Sequence, residues 1–170
     1  MTQQLGRRSV VPLLRQAVKG EDMEATIIPP SYNFAIGCFA TGGLQVFGFH
    51  NYILAAPLLA LATLLTVQSG RVRFQFDQTS LEVLAKKADS DGLESSGENF
   101  AVGGANRWRY DSFTKWGFIP SKSLPLFMYF RENQTPNAPP EGQFHLFPVI
   151  MSAKELGEKM VELVGADKET

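Results

Sequence analysis

Residues 25–70 form a run of 46 consecutive positions without a single Asp, Glu, Lys or Arg. Water-soluble domains rarely contain such a gap, because charged side chains normally recur on the solvent-facing side of each helix or strand. Elsewhere the chain is balanced, with 16 Lys and Arg against 17 Asp and Glu, which argues against a nucleic-acid-binding module. The uncharged run therefore decides most of what the sequence predicts.

The run divides at residues 49–52 into two apolar segments, 32–49 and 53–67. Each is slightly shorter than the about 20 residues that a simple spanning helix needs, and aromatic residues at the segment ends extend both. In lipid, backbone polar groups find partners only within their own helix, so two helices with a tight turn are the simplest structure. The sequence predicts a transmembrane helical hairpin over residues 27–70, with a buried hairpin of a soluble protein as the alternative.

Small residues in both segments predict close helix packing, because they let two backbones approach each other. Gly37 and Thr41 lie one helical turn apart in the first segment, and Ala56 and Ala60 do so in the second. These four residues are predicted to make contacts either within the hairpin or with a neighbouring protein. Cys38 is the only cysteine, which excludes an internal disulfide, and it is predicted to be a small apolar packing residue.

Basic residues flank the uncharged run on both sides, and the turn between its two segments contains none. Both chain ends are therefore predicted on the same, cytoplasm-equivalent side of the membrane. Residues 1–26 are predicted to be a basic arm, either an amphipathic segment on anionic lipid or a tail ordered only by a partner. The predicted lipid contacts of this arm are Arg7, Arg8, Arg15 and Lys19.

Residues 71–165 change to the period-two alternation of β-strands and end in a helix. An antiparallel sheet is expected, because the links between its strands contain no helical pattern. Ser152 and Glu155 form a capping box that opens an amphipathic helix. The predicted strands are 71–77, 80–84, 107–111, 124–130 and 144–147.

A curved sheet closed by a C-terminal helix is the pleckstrin-homology-like (PH-like) arrangement. The predicted fold class is thus an α+β membrane protein, in which a transmembrane helical hairpin is followed by a small antiparallel β-sheet with a C-terminal helix. Residues 88–104 are acidic and are predicted to be a solvated insertion, since their oxygen spacing does not match a calcium loop. Residues 166–170 are predicted to be a tail.

The search for chemistry finds no H-E-x-x-H, G-x-S-x-G or Walker motif, and a non-catalytic protein is predicted. His145 is predicted at a surface or half-buried strand position. Arg107 and Arg109 are predicted to face water rather than to bind a lipid phosphate. His50 lies at the membrane edge of the predicted hairpin, where it is either a ligand to the magnesium of a chlorophyll or a plain interfacial histidine.

Several segments resemble one family: P-S-Y at 30–32, R-V-R-F-Q-F at 71–76, R-W-R-Y at 107–110, L-F-M-Y-F-R-E at 126–132 and F-H-L-F-P-V-I at 144–150. The family is an uncharacterised group of short membrane proteins of cyanobacteria and plastids, with two transmembrane helices and a PH-like tail. The resemblance extends over residues 27–164. The acidic insertion and the basic arm look like additions of an algal plastid form.

The resemblance implies a photosynthetic membrane, and supernumerary subunits of algal photosystems are similar in scale and plan. It implies a non-catalytic accessory subunit of the plastid thylakoid membrane that docks on photosystem core subunits, with photosystem I favoured over photosystem II. Both termini and the soluble lobe would then lie in the stroma, and chlorophyll or carotenoid at the hairpin are the candidate cofactors. The alternative functions are a transient photosystem assembly factor and a PH-like module that binds membrane lipid.

Overall fold

The computed structural model describes residues 24–87, 92–97 and 104–169. These residues form three α-helices and two antiparallel β-sheets, so the fold is α+β. Short 3-10 turns cover Tyr110–Ser112 and Ala166–Lys168. The main elements are β1 (Thr26–Ile27), α1 (Asn33–Phe47), α2 (Tyr52–Arg71), β2 (Val72–Phe76), β3 (Ser80–Lys86), β4 (Leu93–Ser95), β5 (Arg107–Arg109), β6 (Phe113–Ser121), β7 (Leu124–Glu132), β8 (Gln143–Pro148) and α3 (Ala153–Leu163).

Helices α1 and α2 pack against each other as a helical hairpin, which confirms the predicted pair of helices and the turn between them. The turn is fixed by Asn51, whose backbone N–H donates to the Gln45 carbonyl at 2.8 Å. The Asn51 side chain accepts a hydrogen bond from the Leu54 N–H and caps α2. With 15 and 20 residues, α1 and α2 are about 22 and 30 Å long.

The predicted single curved sheet is wrong, because the strands form two separate sheets. The first contains β1, β2, β3 and β4 in that order, with β5 also paired to β3. The second contains β6, β7 and β8. Strand β1 precedes the hairpin in the chain but pairs with β2, which follows α2 directly, with Thr26 opposite Phe76. Both ends of the hairpin are therefore connected to neighbouring strands of the same sheet.

Strand β6 is absent from the predicted strands, and a bulge explains the omission. A register shift between Phe113 and Lys115 adds one residue to this strand. The inward-facing side chains of Phe113, Trp116 and Phe118 consequently do not follow a strict period of two. Strict alternation therefore does not predict this nine-residue strand, which is the first of the second sheet.

Within the predicted solvated insertion at 88–104, Leu93–Ser95 forms β4 and pairs with β3, and Glu94 and Ser95 of this strand are exposed. The predicted strand at 107–111 ends earlier, at Arg109, and continues as a 3-10 turn. Arg71 belongs to the end of α2 rather than to the strand that follows.

The core lies between the two sheets, and α3 closes it. Ser152 caps α3 by accepting a hydrogen bond from the Glu155 N–H at 3.4 Å, as the capping box predicts. Gly157 lets α3 approach the second sheet, since a Cβ atom there would lie 3.3 Å from the Phe118 ring. The largest fully buried side chains of this core include Phe74, Phe76, Leu81, Trp108, Trp116, Met128, Phe130, Leu156 and Met160.

Candidate functional site

The helical hairpin is held together by small residues on the facing sides of α1 and α2. A Cβ atom added to Gly42 would lie 2.8 Å from Cδ2 and 2.9 Å from Cγ of Leu59, so a larger residue here would force the Leu59 side chain or the helices to shift. The other buried positions of the two helices lie three to seven residues apart, and all except Leu65 are small. The buried residues of the two helices are Ala35, Cys38 and Gly42 in α1 and Ala55, Ala62, Leu65 and Ser69 in α2.

The predicted packing residues Gly37, Thr41, Ala56 and Ala60 lie outside this contact, because all four are exposed. A Cβ atom at Gly37 would meet nothing within 4 Å. The Thr41 hydroxyl donates to the Gly37 carbonyl at 2.8 Å, so both lie along one outward stripe of α1. The interpretation as contacts within the hairpin is wrong, whereas a contact with a neighbouring protein stays a prediction.

The sides of the hairpin that face away from the helix–helix contact are apolar. Phe47 and Ile53, near the turn, are 84% and 86% exposed. Within the part of the chain that the structure describes, α2 alone is long and apolar enough to cross a membrane by length and composition. Helix α1 is apolar but shorter. Other exposed large apolar side chains of the hairpin are Ile36, Phe39, Leu44, Phe49, Tyr52, Leu54, Leu61, Leu64 and Val67.

His50 lies exposed in the turn and adopts a left-handed backbone conformation with φ of 52°. The turn lies at the end of the hairpin opposite to the end where β1 and β2 connect it to the first sheet. Ligation of a chlorophyll by His50 stays a prediction. The predicted lipid contacts Arg7, Arg8, Arg15 and Lys19 lie outside the described residues.

The base of the hairpin is fixed to both sheets by backbone hydrogen bonds. The Ser31 N–H donates to the Ile150 carbonyl at 2.9 Å, and the Ser152 N–H donates to the Pro29 carbonyl at 2.9 Å. The contact with the first sheet is made by the Ile28 N–H, which donates to the carbonyl of Phe74 in β2 at 2.9 Å. The segment that enters α1 is therefore clamped between β2 and the residues that follow β8.

Side chains reinforce the same junction. The Ser69 hydroxyl, near the end of α2, donates to the Ser31 carbonyl at 3.0 Å and so ties the two helix ends together. Arg73 turns its guanidinium back to the Ser69 carbonyl at 2.7 Å and to the Val72 carbonyl at the same distance. Carbonyls at the C-terminal end of a helix have no partner within the helix, so this arginine satisfies them and interacts favourably with the helix dipole.

A histidine and a glutamate form a buried pair inside the lobe, the part of the protein made of the two sheets and α3. His145 Nε2 lies 2.9 Å from Glu132 Oε1, with side chains 2% and 0% exposed. The prediction of a surface or half-buried His145 is therefore wrong. The alternation of β8 offers a signal for this position, since His145 and the core-packed Phe147 share one side of the strand.

Glu132 is fully satisfied by hydrogen bonds. Its carboxylate accepts from the Gln134 N–H, the Thr135 N–H and the Thr135 hydroxyl as well as facing His145. Burial tends to raise the pKa of this carboxyl, but the hydrogen bonds from Thr135 and His145 outweigh burial and lower the pKa below its ordinary value. Glu132 is accordingly ionised near neutral pH, where it organises the turn after β7.

The turn organised by Glu132 also joins the two sheets. The Gln134 amide donates to the Arg107 carbonyl at 2.9 Å and accepts from the Arg109 N–H at 3.0 Å. The Gln134 side chain thus pairs with β5 much as a strand would. The Glu132–His145 pair is positioned to fix the structure of the lobe rather than to meet a substrate.

Arg107 is held by two carboxylates, at 2.5 Å from Asp77 and 3.0 Å from Glu82. Burial tends to raise the Asp77 pKa, but hydrogen bonds from Thr79 and Ser80, with the Arg107 charge, lower it below its ordinary value. Arg109 is exposed, as predicted, and pairs with Asp111. Because its guanidinium is engaged by two carboxylates, Arg107 is poorly placed to bind a phosphate.

An open groove of about 620 Å³ runs between β6 and α3. Its lining includes Phe118, Gly157 and Val161, with Lys122, Lys154 and Glu158 among the charged residues. No group of three or more His, Cys, Asp or Glu side chains within the described ranges is placed to hold a metal ion. Nothing in this groove brings together a nucleophile and a base.

A model of one protein family, described as a protein of unknown function (DUF3119), matches residues 26–165. The chain belongs to the DUF3119 family. The matched range begins at β1 and ends just after α3, so the DUF3119 region contains the hairpin and the lobe together. No curated protein and no solved structure matches the chain.

Proposed function

We propose that this protein is a membrane-anchored accessory subunit in which the hairpin inserts into a lipid bilayer and the lobe docks on a membrane complex. One observation carries the proposal: the buried positions of the uncharged α1–α2 pair are small residues except for Leu65, whereas most of its large apolar side chains are exposed. A soluble hairpin would do the reverse, burying its large apolar side chains between the helices or against the rest of the domain.

The energetic argument for insertion rests on the outward side chains of the hairpin. Moving one fully exposed Leu, Ile or Phe side chain out of water contributes roughly 1.5–3 kcal/mol. Nine Leu, Ile and Phe side chains that are 39–86% exposed project from α1, α2 and their turn, so each contributes part of this amount, and no charged group has to be desolvated. The shorter helix α1 is accommodated by the polar Ser31 and the interfacial Tyr32 at its start, or by local thinning of the bilayer.

The interior of the lobe supports a non-catalytic role. A catalytic histidine or carboxylate must be reachable by a substrate, and both His145 and Glu132 are sealed in the core. Their hydrogen bonds connect β7, β8 and the turn that reaches β5. These contacts join the two sheets of the lobe, which suits a docking subunit.

The choice of membrane and complex follows from the family resemblance described in the sequence analysis. It supports the plastid thylakoid membrane, with the lobe and both termini in the stroma and photosystem I as the docking core. The function proposed is to cover a membrane edge and the stromal loops of that core. Solubilising the membranes in a mild detergent and counting subunits by mass spectrometry tests this proposal.

A permanent subunit is expected at one copy per photosystem I in the purified complex. A substoichiometric amount, enriched on immature complexes, would instead identify an assembly factor. Recovery of the protein only as a free membrane component would refute docking on a photosystem, although it would leave the membrane anchor intact.

A further inference from the structure

The second sheet has an apolar outer face, opposite the core. In the register of this sheet, side chains that face the core alternate with a second set that faces away from it. An antiparallel sheet with one solvated face normally places polar residues on that face. We define the outer face as Ile119, Phe127, Tyr129, Phe144, Leu146 and Pro148, with Lys115 and Arg131 at the end distant from the β6–β7 turn.

Several of these side chains are exposed in the structure. Leu146 is 47% exposed and Phe144 is 40% exposed, and Ile119 is exposed to a similar extent. Strand β7 reads L-P-L-F-M-Y-F, an almost continuous apolar run of the kind found in strands that are covered on both faces. The core covers one face of β7, whereas the described residues cover the outer face only in part.

The hairpin starts on the outer side of this sheet. Phe34, in the first turn of α1, packs edge-on against the outer-face residue Phe127 with ring centroids 5.5 Å apart. In the proposed membrane anchor, the bilayer that surrounds α1 therefore lies on the same side of the second sheet as the outer face. The charged residues of this face, Lys115 and Arg131, are both basic, as a surface that contacts anionic lipid would be. Glu141 lies 3.7 Å from Arg131 but belongs to a neighbouring loop. No position of the face itself carries an acid.

We propose that the outer face of the second sheet is a second membrane contact, which rests on the interface of an anionic bilayer beside the inserted hairpin. This inference rests on the proposed membrane anchor. Phe144, Leu146 and Ile119 would enter the headgroup region, and Lys115 and Arg131 would interact with anionic headgroups. Arg131 already stacks over the Phe144 ring at 5.4 Å, a pairing of an aromatic and a cation that suits the membrane interface.

The depth to which fluorescent probes on the protein enter the bilayer of lipid vesicles tests this contact. The full-length chain carries Cys38→Ser and one added cysteine, Leu61→Cys in α2, Leu146→Cys on the outer face or Glu158→Cys on α3, each labelled with an environment-sensitive fluorophore. The vesicles contain phosphatidylcholine with or without phosphatidylglycerol. Lipid-attached quenchers should quench positions 61 and 146 several-fold more than position 158, which a water-soluble quencher should reach.

The outcomes separate the two proposals. If position 146 behaves like position 158 while position 61 stays in lipid, the second contact is refuted and the anchor stands. If positions 61 and 146 are both aqueous, the anchor itself fails. If position 146 is aqueous in vesicles but shielded in native membranes, a protein rather than the bilayer covers the outer face, and the inference is overturned.

Charge gives a second test with a matched control. Lys115→Gln should reduce lipid quenching at position 146 in phosphatidylglycerol vesicles and leave position 61 unchanged. Lys159→Gln, on α3, should change neither position. Equal effects of the two variants, or none from Lys115→Gln, would contradict the proposed headgroup contact.

Discussion

Phe34 and Phe127 meet edge to face, with their ring centroids 5.5 Å apart, and this contact joins the apolar hairpin to the outer face of the second sheet. Backbone hydrogen bonds at Ser31 and Ser152 lie close by and hold the same junction. The lobe is therefore not a freely rotating domain on a flexible tether. Its orientation relative to the membrane is set where α1 begins.

Phe34→Ala should loosen this junction. The variant loses the edge-to-face contact and part of a buried aromatic surface, so the free energy of unfolding of the lobe should fall by about 1–2 kcal/mol. Urea unfolding in detergent, followed by the fluorescence of the two buried tryptophans, measures the change. Phe39→Ala removes an exposed aromatic from the same helix and should leave the lobe unaffected. An equal loss in both variants would argue against a specific Phe34–Phe127 contact.

Gly42→Val should separate the two helices of the hairpin. Its branched side chain would collide with Leu59, since even a Cβ atom at this position lies 2.8 Å from Leu59 Cδ2, and such overpacking costs about 1–3 kcal/mol. Distances between spin labels on α1 and α2 should increase and broaden. Gly37→Val is the matched control, because it places the same side chain in the same helix where nothing lies within 4 Å. A similar response from both variants would contradict the proposed helix–helix contact.

Glu132→Gln should reduce the loss in free energy of unfolding that occurs as the pH falls from neutral to acid. The pKa of Glu132 is lower in the folded protein than its ordinary value of 4.5, so this group stabilises the folded state above that value. The stabilisation is lost as the pH falls through the lower folded pKa. Urea unfolding from neutral pH down to about pH 3 should give a shallower decline for the variant than for the parent chain.

Asp77 contributes in the same pH range, because its pKa is also lowered, and the variant should therefore retain part of the decline. Glu141→Gln, in an exposed loop, is the control and should keep the parent profile. An unchanged slope for Glu132→Gln would mean that the Glu132 carboxylate is not held in its ionised form by Thr135 and His145.

Asp77→Ala and Asp77→Asn should separate the two roles of this carboxylate. Oδ1 accepts hydrogen bonds from the Thr79 and Ser80 N–H groups and shapes the β2–β3 turn, whereas Oδ2 pairs with Arg107. Asparagine keeps an acceptor for the turn and loses the ion pair. The alanine variant should lose about 1–2 kcal/mol more stability than the asparagine variant, as measured by thermal or urea unfolding. Equal stabilities would show that the turn does not depend on the Asp77 side chain.

The sequence predicts the elements whose periodicity is undisturbed. Helices α1 and α2 follow from the uncharged run, the start of α3 from the capping box at Ser152, and β2 with its inward Phe74 and Phe76 from alternation. Strand β6 does not, because the bulge after Phe113 breaks its alternation. The division into two sheets also escapes prediction, since it depends on which strands pair over long range rather than on any local pattern.

The candidate site shows the same limit. Gly42 and Gly37 are indistinguishable as sequence, and only the rotation of α1 about its axis decides that Gly42 faces Leu59 while Gly37 is exposed. His145 is a polar residue that the fold buries because Glu132, thirteen residues earlier, supplies a partner on the neighbouring strand. The alternation of β8 indicates that His145 shares a side with Phe147, but its pairing with Glu132 leaves no signal in a composition or a spacing count.

Alkaline carbonate washing of the native membranes tests most directly whether the hairpin is embedded in a bilayer. The parent chain should stay in the membrane pellet, as an integral protein does. A variant carrying Leu61→Asp and Leu64→Asp, which places two charges on the outward side of α2, should be released to a much larger extent. Release of the parent chain into the wash, to the same extent as that variant, would contradict the account.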